Sequence, residues 1–233
     1  MSTEPLAPGP PPPAVGQLAE REELGEYQRV LTKYRKHVFK PPEFVYHVFD
    51  FDRGIVFQGK DGVLHAYPWG RVATVYLGST RHYSNGQYTL TTFGFSVILG
   101  NGNRLRLSGA FHDHALRPAR NRAKPVEDEE DLFGLASAVA TAVSRQRLPD
   151  AIAALERGDS LTFGDIGIGL AGVRTTAELI PWSAIKEVEV AQGVVRIKQA
   201  GRFRPLSRKP ASEIPNVQLF ILLAKTLHGR MRQ

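Results

Sequence analysis

Between Phe44 and Leu206 the chain is a succession of short runs rich in β-branched and aromatic residues, separated by turn formers. Such runs read as strands. In the first half they are Phe44 to Asp50, Gly54 to Gln58, Val63 to Tyr67, Trp69 to Leu77, Tyr88 to Leu99 and Arg104 to Ser108. The turns include Gly59-Lys60-Asp61-Gly62 and Gly100-Asn101-Gly102-Asn103, whose Asn-Gly pair suits a tight hairpin. The second half repeats the order near Leu161 to Phe163, Ile166 to Ala171, Thr175 to Ile180, Trp182 to Val190, Val194 to Lys198 and Phe203 to Leu206. Each set predicts about six strands.

Helical spacing closes each set. Leu132, Leu135, Ala136, Val139, Ala140 and Val143 form one stripe, preceded by the acidic run Glu127 to Asp131 where a helix N-terminus favours negative charge. Phe220, Leu223, Ala224 and Leu227 form the other, with Asn216 as the expected N-cap and Gly229 as the expected terminator. Two smaller helices are predicted: an amphipathic one over 17–40, carrying Leu18, Leu24, Tyr27, Leu31 and Tyr34, and a linker helix over 150–158.

The two halves are related. Asp52 to Val75 aligns without a gap on Asp165 to Val188 at a constant offset of 113, with seven of 24 positions identical, among them Gly54 with Gly167, Pro68 with Pro181 and Trp69 with Trp182. Both tryptophans of the protein fall in register, and a proline before each fits the first residue of a strand. A repeat of this length predicts two tandem units, 44–147 and 159–230. The first is the larger, with a Ser/Thr/Tyr/Gly-rich hairpin near Thr80 to Thr92 and a polar loop from His112 to Val126.

The strand meander, the Pro-Trp step and the closing helix resemble bacterial pleckstrin-homology-like (PH-like) domains of uncharacterised families. The resemblance implies a mostly β fold with α elements: two tandem antiparallel sandwich or barrel units, each plugged by its C-terminal helix. It implies a platform for lipids, peptides or partner proteins, and it carries over no catalytic residue. Eukaryotic members that bind phosphoinositides resemble one another in a basic loop between their first two strands. The loop taken as its counterpart here holds Asp50, Asp52 and Arg53, and its second copy holds Gly164 and Asp165. That departure argues against inositol-lipid recognition.

Composition narrows the chemistry. Residues 1–16 contain Pro8-Gly9-Pro10-Pro11-Pro12-Pro13 and are predicted to be a disordered tail, with neither the basic start nor the apolar run of a secretory signal. Cysteine is absent, which removes disulfides and thiolate chemistry and fits the cytoplasm. The most apolar stretch, Val217 to Leu227, is too short to cross a bilayer. Hydrophobic residues make up 42% of the chain, enough for a core, and the formal net charge is +7. That charge favours anionic partners in general, without pointing to specific nucleic-acid binding.

Two basic clusters are the candidate anion- or partner-binding residues: Arg117, Arg120, Arg122 and Lys124 in the first unit, and Arg202, Arg204, Arg208 and Lys209 in the second. Both are read as lying just before a terminal helix. Gly167-Ile168-Gly169-Leu170-Ala171-Gly172 fits the spacing of a dinucleotide-binding loop, though Thr175, Thr176 and Pro181 oppose the helix such a loop must open. Gly54 to Lys60 imitates a phosphate loop but continues with Asp61 where a hydroxyl is needed. His112-Asp113-His114 is read as a solvated loop, and Tyr83, Tyr88, Phe93 and Phe95 mainly as packing.

The resulting expectation is a non-enzymatic interaction module, without cofactor or metal, located in the cytoplasm or peripherally at the inner face of the membrane. It binds a protein partner or an anionic membrane surface. The alternative is a nucleotide-binding protein or small enzyme using Gly167 to Gly172.

Overall fold

In the computed structural model, residues 9–35, 41–113, 116, 128–201 and 207–230 are described. The chain opens with α1 (Pro13–Arg21) and a four-stranded antiparallel meander, β1 (Tyr27–Arg35), β2 (Glu43–Phe51), β3 (Gly54–Gly59) and β4 (Leu64–Pro68). A 3₁₀ turn, Trp69–Arg71, leads to a three-stranded meander of β5 (Val72–Ser84), β6 (Gln87–Leu99) and β7 (Arg104–Phe111), followed by α2 (Asp128–Glu156). The second half repeats this order. Strands β8 (Leu161–Phe163), β9 (Ile166–Gly169), β10 (Gly172–Arg174) and β11 (Leu179–Pro181) form a four-stranded sheet. The turn Trp182–Ala184 leads to β12 (Ile185–Ala191), β13 (Val194–Gln199) and β14 (Ser207–Pro210), then to α3 (Val217–Arg230). None of the sheets closes into a barrel. The fold is mostly β, with three α-helices among the described residues.

Each half therefore has seven strands where the sequence pattern gave about six. In the first half the missing strand is β1, which lies inside the amphipathic helix expected over 17–40. The apolar set Leu24, Tyr27, Leu31 and Tyr34 fits a helical period, but Glu23 and Gly25 adopt positive φ (55° and 83°) and end α1 well before it. Tyr27–Arg35 then pairs along the Phe-rich strand β2, Leu31 opposite Val48 and Lys33 opposite Tyr46. Cross-strand packing has overridden a local period that also suited a helix.

The N-terminal helix starts earlier than expected, inside the segment read as tail. Pro13 occupies the first turn, where its missing N–H costs nothing. Val15, Ala19 and Leu24 bury against Phe49, Phe51 and Val56, so α1 covers the face of the first sheet that points away from the unit's main core. Asp52 and Arg53 form the β2–β3 connection, with Asp50 just before it near the end of β2, so these residues lie at the second turn of the meander. The connection between the first two strands is 36–42, of which 36–40 lie outside the described residues, so Asp52 and Arg53 are not the loop between the first two strands.

The repeat survives with a shift. From Pro68 and Pro181 onward the offset of 113 holds: the two 3₁₀ turns coincide, and β5 and β12 begin at corresponding residues. Each tryptophan sits in the 3₁₀ turn after a strand ends, not at a strand start. Upstream, Gly54 pairs with Pro68 and Gly172 pairs with Pro181. The counterpart of Gly54 is therefore Gly172, not Gly167, because the second hairpin is five residues shorter. Both glycines are needed for close approach: a Cβ would lie 3.0 Å from the Tyr67 carbonyl oxygen at Gly54, and 2.0 Å from that of Ile180 at Gly172.

A terminal helix carrying the stripe Leu132 to Val143 and a separate linker helix over 150–158 were expected; they are one helix, α2, which passes through Pro149. Its first stripe, Leu132 to Val143, packs into the core of the first unit with Trp69, Val75, Phe95 and Val97. Its second stripe, Leu148, Ala151, Ile152 and Leu155, packs into the core of the second with Trp182, Ile197 and Phe220. At about 100° per residue the second stripe is turned by about 140° from the first. That rotation lets one helix serve two cores lying on different sides of it, and it is why the sequence reads as two helices.

The halves are also tied through Asn216. Instead of capping α3, its side chain turns to the edge of β5. The Val75 N–H donates to Asn216 Oδ1 (2.9 Å), Asn216 Nδ2 donates to the Ala73 carbonyl (3.1 Å), and the Asn216 N–H donates to the Val75 carbonyl (2.8 Å). A φ of 50° permits this geometry, which asparagine tolerates better than most residues. Arg147 of α2 donates to the same Ala73 carbonyl. Gly78 of β5 leaves room for Ser212: a Cβ there would sit 2.3 Å from the serine Cβ. Helix α3 itself continues through Gly229, the expected terminator.

Asn216→Ala keeps only the main-chain bond of the three and strands the Val75 amide. The expected loss is about 2 kcal/mol of unfolding free energy, with faster hydrogen exchange at Val75 than at neighbouring β5 amides. Unchanged exchange at Val75 would show that the side chain does not hold the edge.

Candidate binding cleft

Most of the expected basic residues, Arg117, Arg120, Arg122, Lys124, Arg202 and Arg204, lie outside the described residues. Their places in the chain nevertheless differ. The first cluster falls between β7 and α2, whereas Arg202 and Arg204 fall between β13 and β14, with Arg208 and Lys209 on β14 itself. The two clusters do not hold the same place in the element order, because a strand and a 3₁₀ turn separate the second from α3. Lys209 is engaged by Asp165 in an ion pair and is partly buried.

The glycine-rich segment 167–172 is the end of β9, the turn at Leu170-Ala171 and the first residue of the antiparallel strand β10. Gly169 pairs with Gly172, and Ile168 with Val173. No helix opens there, so the N-terminal dipole that a dinucleotide loop supplies to a pyrophosphate is missing from this geometry. The glycines serve packing: Gly172 makes way for the Ile180 carbonyl, and the Gly169 carbonyl accepts the Trp182 indole N–H at 3.0 Å. Gly54 to Lys60 is likewise strand β3 and the turn after it.

His114 lies outside the described residues, and among those described no cluster of His, Asp or Glu has the arrangement of a metal site. Asp113 belongs to a different network. Its N–H donates to the Tyr88 hydroxyl (2.8 Å), which also lies 2.9 Å from the buried Thr91 Oγ1, while Arg81 approaches its carboxylate at 3.5 Å. Phe93 and Phe95 are core residues as expected, while Tyr83 is 58% exposed.

That network forms one end of a cleft between the two halves, which sequence reasoning did not find. The inner lobe, about 420 Å³, is walled by Leu77 of β5, Phe133 of α2, Val190 of β12, and Ile221 and Leu222 of α3. The outer lobe, about 580 Å³, is lined by Arg81, Tyr83, Thr91, Asp113 and Gln192. The lobes meet at Ser79, Phe133 and Gly193. Gly193, at φ 73°, comes close enough that a Cβ would sit 3.1 Å from the Ser79 carbonyl oxygen. A side chain at that position would narrow the passage between the lobes.

The cleft also exposes main chain. β5 is an edge strand, and Val75 turns its N–H and C=O away from β6 toward Asn216. By the alternation of an antiparallel ladder, Leu77, Ser79 and Arg81 turn theirs the same way. No hydrogen-bond partner meets these groups among the described residues. An apolar lobe beside unpaired main-chain donors and acceptors suits another polypeptide better than a compact polar metabolite.

Residues 130–233 match the model of a family of unknown function, DUF6585. The match begins within α2 and runs through the second half, taking the shared helix together with the unit it enters. No curated protein matches the chain. No solved structure matches it either. No helix among the described residues is long and apolar enough to cross a membrane.

Gly172→Ala is expected to lower stability by about 2 kcal/mol or more, because the added methyl meets backbone that cannot yield. Gly94→Ala on β6, where a Cβ meets nothing within 4 Å, is expected to stay within about 0.5 kcal/mol of the parent. Denaturant midpoints of the two variants check the contrast.

Proposed function

We propose that the chain is a tandem pair of PH-like units acting as a non-catalytic binding module, and that the cleft between them seats a peptide segment of a partner protein. The PH-like reading is supported by the shared order in both halves: four-stranded meander, tryptophan turn, three-stranded meander, helix. The observation that carries the binding reading is the cleft itself. Its apolar inner lobe receives walls from both halves, and the free edge of β5 runs along it.

The occupant places an apolar side chain among Leu77, Phe133, Ile221 and Leu222, and its polar groups against the Arg81–Asp113 end. Val190, 47% exposed at the rim, is the natural contact for a second apolar residue of the partner. An anionic membrane surface, the other expectation, has weaker support from the clusters named for it: Lys209 is already paired with Asp165.

Selection of displayed random peptides on the intact chain tests the reading, with a Val190→Glu/Leu222→Glu double variant as the counter-screen. Enriched peptides are expected to share an apolar anchor and to bind the double variant about tenfold or more weakly. Peptides that bind both proteins equally, or a selection with no enrichment, contradict it.

A further inference from the structure

A second pocket lies away from the cleft, at the corner of the first unit where the two sheets approach edge to edge. One wall is the end of β1, with Lys33 and Arg35. The opposite wall is β7, with Arg106, Leu107 and Ser108, and Tyr46 of β2 and Glu129 of α2 complete it. Its volume is about 420 Å³. Both β1 and β7 are edge strands, so neither sheet closes the gap.

The polar groups of this pocket are mainly donors. Leu107 pairs with Phe95 in the ladder that binds β7 to β6, so Arg106 and Ser108 turn their main-chain groups to the free edge. The Arg106 side chain is exposed and has no carboxylate partner among the described residues. Arg35 only reaches Glu43 at 4.0 Å, and Lys33 is paired with Glu129. Three cations against one carboxylate leave the lining with an excess of two positive charges.

Tyr46 supplies an independent sign. Its ring packs against Phe57 on the border of the core, and its hydroxyl is buried with no hydrogen-bond partner. A buried hydroxyl without a partner is costly, and native structures seldom keep one unless something else satisfies it. Burial first, and the nearby Glu129 carboxylate second, push its pKa up to about 12. The phenol therefore remains protonated and able to donate at neutral pH.

We propose that this corner pocket binds a phosphate monoester, held by the Arg106 guanidinium, the Ser108 hydroxyl and edge N–H, and the Tyr46 hydroxyl, with Lys33 and Arg35 at its mouth. The doubly negative headgroup matches the excess charge of the lining. Three terminal oxygens use the donors better than the two of a carboxylate, and an arginine fork suits phosphate geometry. The remaining volume takes the organic group that the phosphate esterifies. The same chemistry arises from a soluble phosphorylated metabolite or from a monoester headgroup in a bilayer.

Isothermal titration of the full chain with inorganic phosphate and glycerol 3-phosphate covers the soluble source. Sedimentation with phosphatidylcholine vesicles containing phosphatidic acid, or phosphatidylserine at matched charge, covers the lipid source. Binding is expected to fall about tenfold or more in Arg106→Gln and in Tyr46→Phe. Arg104→Gln, which removes the same charge two residues away outside the pocket, is expected to bind like the parent. Binding of the soluble monoesters assigns the pocket to free phosphates. Binding only to phosphatidic acid vesicles assigns it to a lipid headgroup. Equal losses in Arg104→Gln and Arg106→Gln, undiminished binding by Tyr46→Phe, equal binding to both anionic vesicles without a soluble ligand, or no binding at all would overturn the proposal.

Discussion

One helix buried in two cores is the constraint from which the arrangement of this molecule follows. Helix α2 places Leu135, Val139 and Val143 in the first core and Leu155 in the second, with Leu155 fully buried. Neither unit can release its stretch of α2 without exposing apolar surface, and large-to-small changes at such positions typically cost about 2–5 kcal/mol. A flexible linker would let the halves reorient; a helix packed along its length does not. The cleft has a defined shape because α2 forms one of its walls and also fixes α3, which forms another.

The second constraint is the exposed edge of β5. An unpaired edge strand invites pairing with other chains, and proteins commonly cover such edges. Here the second unit covers it in steps: Asn216 at Val75, Ser212 at Gly78 and Gly193 at Ser79. The small residues Gly78 and Gly193 let backbone approach backbone. What is left without a hydrogen-bond partner among the described residues, the outward main-chain groups of Leu77, Ser79 and Arg81, borders the cleft. The same docking that protects the first unit thereby creates the surface proposed for a partner.

Much of this architecture was legible in the chain. The tryptophan repeat marked the two corresponding 3₁₀ turns, and most strands fell where alternating apolar residues placed them. The stripes at Leu132 to Val143 and Phe220 to Leu227 became buried helices. The errors have physical causes. Tyr27–Arg35 carries a period compatible with both a helix and a strand, and only its pairing with β2 decides between them. The ungapped alignment matched Gly54 to Gly167 because glycines recur in both hairpins, whereas close approach to a proline strand singles out Gly172. The stripe on α2 turns by about 140°, so periodicity alone splits it. Asn216 has the local signature of a helix cap but serves an edge 141 residues away in the chain.

The sites were less legible. The cleft and the corner pocket gather residues from strands and helices far apart in sequence, so neither leaves a local motif. Linear clusters of arginine drew the sequence reading to connecting segments. By contrast, Arg106 is one of two arginines on an alternating strand, and Tyr46 is one aromatic among several in β2. Their interest comes only from the juxtaposition of two sheet edges.

The two tryptophans, one in each core, allow the claim of a single body joined through α2 to be measured directly. With Trp69→Phe the emission reports the second unit, and with Trp182→Phe it reports the first. In urea, each variant should show its fluorescence transition coincident with its far-ultraviolet circular dichroism transition, as a single cooperative step requires. A variant in which one core loses its tryptophan signal while a large part of the dichroism persists to higher urea would show two independently folding units and contradict the account.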